Sequence, residues 1–266
     1  MQLKELLQKH AFTCTKRYGQ NFLSDPQLLD AIARDGALKG DRVVEVGAGA
    51  GTLTRALCAL GAHVTAFEID EKLRPVLRET LRGTDANVIF ADAMQYDLSL
   101  LGDEPFRLVA NLPYYITTPV IFKFLYDERL LSLTVMVQKE VAERICASAG
   151  TAAYGALSAQ MQAMGRVRIV RSVPRNMFYP APEVDSAVVR LDIAPLLDRA
   201  LLPAYRKAVA AAFAMRRKTL ANNLKAAYVL PKEQAEQIVR TVCGDPAARG
   251  ETLHVEQFIR LAELLG

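Results

Sequence analysis

The chain has 266 residues, 51% of them apolar and 23% charged, with a formal net charge of +4. This is the balance of a soluble globular protein with a sizeable core, long enough for one large domain or a main domain plus a small one. No stretch reaches the roughly 18 unbroken apolar residues of a membrane span, and the N-terminal MQLKELLQKHAFTC lacks the apolar centre of a signal peptide, so a cytoplasmic protein with no membrane partner is expected.

Cys14, Cys58, Cys146 and Cys243 stand far apart without CxxC pairing, which argues against a disulfide framework and against a zinc site. His10, His63 and His254 are equally dispersed, which argues against a histidine metal centre or a Ser-His triad. No metal is expected. Amides, carboxylates, aromatics and a cofactor are left to carry the chemistry.

In chain order, short β-rich runs alternate with helical patterns through the first 190 residues. A helix near 25–35 opens with Ser24-Asp25-Pro26, an N-cap followed by proline in the first turn. A strand at 42–46 leads through a glycine loop into a helix at 52–60. A strand at 63–69 precedes a helix at 71–82, and strands follow at 87–91 and 106–111. A helix at 118–129, a strand at 133–138, helices at 139–148 and 154–163, and strands at 167–173 and 187–193 complete the series. Near-continuous apolar strands are expected where helices cover both faces of a sheet. The alternation predicts a mostly parallel, Rossmann-like α/β sheet with right-handed crossovers over 1–193. Beyond it the strand signals stop, and 194–266 reads as a small all-helical domain broken at Pro203, Pro231 and Gly244-Asp245-Pro246.

The first of these strands runs directly into Gly47-Ala48-Gly49-Ala50-Gly51. Glycines at alternate positions let the backbone turn sharply and approach a ligand with no Cβ in the way. About twenty residues later come Glu68 and then Asp70, where dinucleotide folds place a carboxylate that accepts from ribose hydroxyls. Two readings compete: a dinucleotide oxidoreductase and a methyltransferase using S-adenosylmethionine. The dinucleotide fingerprint is G-x-G-x-x-G, whereas position 52 is Thr, and G-x-G-x-G suits a cofactor with no pyrophosphate to cradle. Asp92 follows the next strand and can accept from an adenine amino group. With Gly47, Gly49, Glu68 and Asn111 it would line the C-terminal rim of a parallel sheet, where ligands bind.

Asn111-Leu112-Pro113-Tyr114 is an unusual strand exit. An adenine N6 amine is a poor nucleophile because its lone pair is delocalised into the ring, so an enzyme that methylates it must align it. The Asn111 side-chain oxygen and the Leu112 carbonyl can accept the two amino hydrogens, and Pro113 fixes the backbone so that both point the same way. Tyr114 can stack on the base. In-line placement is then the main source of catalysis, with electrostatic help from the acceptors.

NLPY matches the Asn-x-Pro-Tyr motif of amino-directed adenine and cytosine methyltransferases. Further motifs are KRYGQNFL at 16–23, VEVGAGAGTLT at 44–54, QKEVAERI at 138–145, FYPAPEVDSAVV at 178–189 and FAMRRKTLANNL at 213–224. Together, in order and over nearly the whole chain, they make it resemble the small-subunit ribosomal RNA adenine dimethyltransferase family. That resemblance implies four methyl transfers from S-adenosylmethionine to two adjacent adenines in a hairpin near the 3′ end of small-subunit rRNA, both becoming N6,N6-dimethyladenine. The implied partner is an immature small ribosomal subunit, and the protein itself is expected to be a monomer. By position, the resemblance implies cofactor contacts at Asn21, Leu23, Gly47, Glu68, Asp92 and Asn111. It also implies that Phe178 sandwiches the target base opposite Tyr114, although the pattern alone reads Phe178 as core. Ala48 departs from the family, many members of which have proline there.

Seven Lys or Arg and no acid occur from Arg199 to Lys225, and four Arg and no acid from Gly165 to Arg175. One-signed runs suggest a polyanionic partner. Phe213, Leu220 and Leu224 have helical spacing, and turning them inward leaves Arg216, Arg217, Lys218 and Lys225 towards solvent or RNA phosphates. Two rivals to the small-subunit reading are the related antibiotic-resistance methyltransferases of large-subunit rRNA and a non-catalytic ribosome assembly factor.

Overall fold

The computed structural model describes residues 3–14 and 18–266; Lys16 and Arg17 of the KRYGQNFL segment lie outside them. Two compact units make up the chain. One runs up to Ala142 and adds Arg168–Ile193; the other joins Glu143–Val167 to Ala194–Gly266.

Among the described residues the strands are β1 (Phe22–Leu23), β2 (Arg42–Val46), β3 (His63–Glu68), β4 (Asn87–Phe90), β5 (Phe106–Asn111), β6 (Leu130–Gln138), β7 (Gly165–Val173), β8 (Phe178–Tyr179) and β9 (Ser186–Ile193). Seven form one sheet in the order β4-β3-β2-β5-β6-β9-β7. From β4 to β6 all neighbours are parallel, and β9 returns antiparallel to β6. After β2 the chain builds outward through β3 and β4, then comes back to place β5 on the other side of β2. The strand order therefore reverses between β2 and β5, and ligands of open α/β sheets bind outside the carboxyl ends of the strands at such a point.

Burial explains why helices must flank these strands. Val109 of β5 joins a cluster with Ile32, Leu57 and Met136, while its equally buried neighbour Leu108 points to the opposite face. Helix Pro26–Gly36 packs on β5, β6 and β9, and helix Thr117–Leu125 packs on β6. The first is started by Asp25, whose carboxylate accepts the Leu28 N–H at 2.7 Å. No helix among the described residues is long and apolar enough to cross a membrane.

The elements follow the sequence pattern with local differences. The helix expected at 71–82 splits into a 3-10 turn, Glu71–Leu73, and a helix, Arg74–Thr80, because Pro75 supplies no N–H and suits only a first turn. The helix expected to reach 129 stops at Leu125. Asp127 folds back on Arg129, accepting its backbone N–H at 3.0 Å and its Nε at 2.8 Å, and β6 begins directly afterwards, with Leu130 opposite Phe106. The antiparallel pair β1–β8, Phe22↔Tyr179 and Leu23↔Phe178, has two residues per strand and leaves no periodicity to read. In the Gly165–Arg175 run, Arg168 pairs with Asp192 at 2.6 Å and Arg171 with Asp35. Two of its four arginines are thus neutralised within the fold rather than presented as a cationic stripe.

In the second unit, helices Ala156–Ala163, Leu202–Ala212, Leu220–Tyr228, Lys232–Cys243 and Val255–Leu265 enclose Leu220, Leu224, Val239, Phe258 and Leu261, all fully buried. Residues 143–167, which sequence alternation groups with the sheet, share this core through Tyr154, Ala159 and Ala163. The Tyr205 hydroxyl donates to the Ala159 carbonyl at 2.9 Å. Alternation shows that a helix exists; it does not show which core receives its apolar face.

Candidate active site

The site begins where β2 and β5 end side by side. The N–H groups of Gly47 and Ala48 both donate to the Phe67 carbonyl at 2.9 Å, which folds the glycine loop over the tip of β3. Gly47 and Gly49 have φ of +82° and +57°, a region that disfavours side chains. A Cβ on Gly49 would stand 2.9 Å from the Phe22 ring, and one on Gly47 would stand 3.8 Å from the Asn111 carbonyl oxygen and from Pro113 Cδ. The loop therefore lies between Phe22 and the exit of β5; at Gly49 the Phe22 ring leaves no room for a Cβ, whereas at Gly47 there is room and the positive φ is what favours glycine.

Glu68, 5% exposed, closes β3. Its Oε2 accepts the Gly49 N–H at 2.7 Å and its Oε1 the Asp70 N–H at 2.8 Å. Burial nevertheless pushes its carboxyl above the usual range, and the charge of nearby Asp70 adds to this. Glu45 on β2 is fully buried and accepts from the Thr54 hydroxyl at 2.6 Å; burial pushes it up to about 8. Asp70 takes a hydrogen bond from Gln20 Nε2 at 2.8 Å, and Asp92 takes one from the Met94 N–H at 2.8 Å.

The opposite wall is the exit of β5. Asn111 Nδ2 donates to the Asn21 carbonyl at 3.1 Å, which commits the nitrogen and leaves Oδ1 as the accepting end of the amide. The Leu112 N–H reaches the Met136 carbonyl at 3.2 Å. Pro113 has φ −57° and ψ 132°, and its carbonyl accepts the Ile116 N–H at 3.1 Å and the Thr117 hydroxyl at 3.2 Å. The Tyr114 phenol shares a hydrogen bond with Ser186 Oγ at 2.8 Å, and burial raises its pKa.

These residues enclose a cavity of about 330 Å³, within the size range of small-molecule sites. Asn21, Gly47, Gly49, Glu68, Asp92, Asn111, Leu112, Pro113 and Tyr114 all line it. So do Phe22, Phe67, Ile69, Met94, Tyr18 and Tyr115, which the sequence reading did not single out. For Ile69 the available sequence signal is its place directly after Glu68 at the strand tip; the structure leaves it 44% exposed, an apolar side chain suited to the face of a base. Leu23 and Phe178 are not on the wall. They face each other across β1–β8 and are 3% and 5% exposed, with the Leu23 carbonyl accepting the Thr52 hydroxyl at 3.0 Å. Pairing of these two short strands draws both side chains into the core.

Among the described residues the wall carries two carboxylates, Glu68 and Asp92, and no Lys, Arg or His. Such a donor set repels a pyrophosphate and favours a cationic ligand with hydroxyl and amino donors. S-adenosylmethionine fits that description, with its sulfonium and ammonium charges, ribose hydroxyls and adenine amine.

Arg216, Arg217, Lys218 and Lys225 lie in the second unit, all exposed. The first three sit in the turn before helix Leu220–Tyr228 rather than on a helix, because Thr219 caps that helix by accepting the Asn222 N–H at 3.4 Å. Buried Asn223 shapes the turn, donating to the carbonyls of Ala212 at 2.8 Å and Met215 at 3.3 Å. Lys218 and Lys225 border one open groove with Met215 and Val229.

A sheet of this order with a glycine loop, a carboxylate and an Asn-x-Pro-Tyr exit at its switch point defines an S-adenosylmethionine-dependent methyltransferase fold. The chain belongs to the ribosomal RNA adenine dimethylase family, whose model matches residues 11–266. It is 41% identical over 272 residues to ribosomal RNA small subunit methyltransferase A of Clostridioides difficile, covering 98% of this chain and 94% of that protein. Its identity to the Deinococcus radiodurans protein of the same name is 48% over 227 residues, covering 84% and 76%. Among solved structures it is similar to a dimethyladenosine transferase from Plasmodium falciparum, with a TM-score of 0.76, 27% identity and coverage of 90% and 95%. It is similar also to the 23S rRNA methyltransferase ErmE, with a TM-score of 0.71, 31% identity and coverage of 92% and 99%.

Proposed function

We propose that this protein transfers methyl groups from S-adenosylmethionine to N6 of two adjacent adenines in the 3′-terminal hairpin of small-subunit rRNA, giving N6,N6-dimethyladenine during small-subunit assembly in the cytoplasm. The observation that carries this reading is the Asn111 amide, turned by the Asn21 carbonyl so that its oxygen accepts, beside an acidic cavity.

In this reading Glu68 receives the ribose hydroxyls, Asp92 the adenine amine, and the loop at Gly47 and Gly49 admits the amino acid portion. The bound cofactor supplies an electrophilic methyl group on a sulfonium. Asn111 Oδ1 and the Leu112 carbonyl accept the two N6 hydrogens of the target and turn its lone pair towards that methyl. The N–C bond forms as the S–C bond breaks, and one N6 proton leaves to solvent. After the first transfer a single N–H remains, so one acceptor suffices for the second. Tyr114 stacks on the base, which has left its own stack to enter the site. Arg216, Arg217, Lys218 and Lys225 hold RNA phosphates, and the protein acts as a monomer.

The test is transfer of labelled methyl groups to undermethylated small subunits and, separately, to naked large-subunit rRNA. Dimethyladenine in the small-subunit hairpin supports the proposal. Label in large-subunit RNA alone would instead align the chain with ErmE-type activity, and cofactor binding without transfer to either would leave an assembly role.

A further inference from the structure

The VDSA stretch at 184–187 lies behind the Tyr114 ring. Ser186 opens β9, is fully buried, and its Oγ stands 2.8 Å from the phenol oxygen. The backbone at this point is held from several directions. Ser186 is the register partner of Gln138 on β6, the Asp185 carbonyl accepts the Lys139 N–H at 3.0 Å, and Asp185 Oδ1 accepts the Arg175 N–H at 3.0 Å. The serine hydroxyl is thus fixed to the sheet. Tyr114 belongs to a single 3-10 turn, Tyr114–Ile116, on which a ring can tilt about its Cα–Cβ bond unless its far end is tied.

We infer that Ser186 is a positioning residue: by holding the phenol oxygen, it sets the tilt of the Tyr114 ring against which the target base stacks. This rests on the reading of Tyr114 as the stacking wall. Stacking on an aromatic ring stabilises a bound base, and that gain depends on the two planes being parallel. Burial and the Asp185 charge both raise the phenol pKa, so the hydroxyl keeps its proton at neutral pH and the tie persists.

The test compares wild type, Ser186→Ala, Tyr114→Phe and the double variant in methyl transfer to undermethylated small subunits, with cofactor affinity and Tm measured alongside. Each single variant is expected to lose about three- to tenfold in kcat/KM, part of the stacking gain, with cofactor affinity nearly unchanged and Tm lowered by no more than the loss of one intramolecular hydrogen bond accounts for. The double variant is expected to lose no more than either single one. A serine that only supports the fold would cost as much in the Tyr114→Phe background as in wild type, and that additive result overturns the inference. Wild-type rates for Ser186→Ala or Tyr114→Phe would overturn it as well. A second readout needs no substrate. In protein labelled with 3-fluorotyrosine, the fluorine resonance that disappears in Tyr114→Phe should shift in Ser186→Ala while the other tyrosines hold still, and an unmoved resonance refutes the tie. If wild type transfers no methyl at all, the functional reading fails and the fluorine signal alone decides this one.

Discussion

Asn111 and Asn21 are 90 residues apart, and the side-chain nitrogen of the first donates to the backbone carbonyl of the second at 3.1 Å. That bond makes the N-terminal loop the orienter of the Asn111 amide. Asn111→Ala should reduce methyl transfer by about a hundredfold or more, the scale seen when a preorganised polar group is removed from a site. Asn111→Asp should fare no better, because a carboxylate offers the Asn21 carbonyl no hydrogen. Single-turnover rates for both variants, with circular dichroism to verify folding, check this.

Gly49→Ala adds a methyl group 2.9 Å from the Phe22 ring at a φ of +57°. Both effects act in the same direction, and we expect a destabilisation of about 1–3 kcal/mol together with weaker cofactor binding, since Phe22 and Gly49 share the cavity wall. Urea titration and calorimetric binding measure the two losses separately.

Glu45 gives stability a definite pH dependence. Its folded pKa is raised from an ordinary 4.5 to about 8, so between those values the folded protein retains a proton that the unfolded chain releases. Stability therefore falls as pH rises through this window and levels off above it. Glu45→Gln keeps the shape and an acceptor for Thr54 but removes the titration. Its urea midpoint should decline less steeply than that of wild type between pH 5 and pH 8; parallel curves would show that Glu45 does not contribute.

Val229 ends helix Leu220–Tyr228 with φ +54° and is 90% exposed. A β-branched side chain in the left-handed region is strained, and almost none of it is buried. Val229→Gly should raise the stability of the second unit by about 1 kcal/mol, seen as an upward shift in Tm.

Arg216→Glu combined with Arg217→Glu should weaken binding to rRNA and lower the salt slope of that binding, because phosphate contacts release counterions. Cofactor affinity should be unaffected, since neither residue lines the cavity. Filter binding across a salt series, with cofactor titration in parallel, separates this from a folding defect, which would reduce both.

Much of the site was legible in the chain itself. Strand ends, glycine spacing and the NLPY exit are local signals. Once a parallel sheet is inferred, its C-terminal rim collects Gly47, Glu68, Asp92 and Asn111 whatever the details of packing. Leu23 and Phe178 show where such reasoning stops. Their motif positions point to the cavity, yet β1 and β8 pair across more than 150 residues and bury both side chains, an event with no periodicity behind it. The assignment of 143–167 to the second unit has a similar cause, since the helical pattern of a segment does not name the core that will receive it.

By itself the sequence determined the longer elements, the mostly parallel sheet and the residue types at its rim, because these follow from hydrophobic period, glycine freedom and proline geometry, all properties of neighbouring residues. Only the tertiary structure decided which way the Asn111 amide points, that Ser186 ties the Tyr114 phenol, and that Phe22, Ile69 and Tyr115 join the cavity wall. Each depends on groups that meet only when distant segments pack, as when the Asn21 carbonyl takes the Asn111 nitrogen and leaves the oxygen to accept.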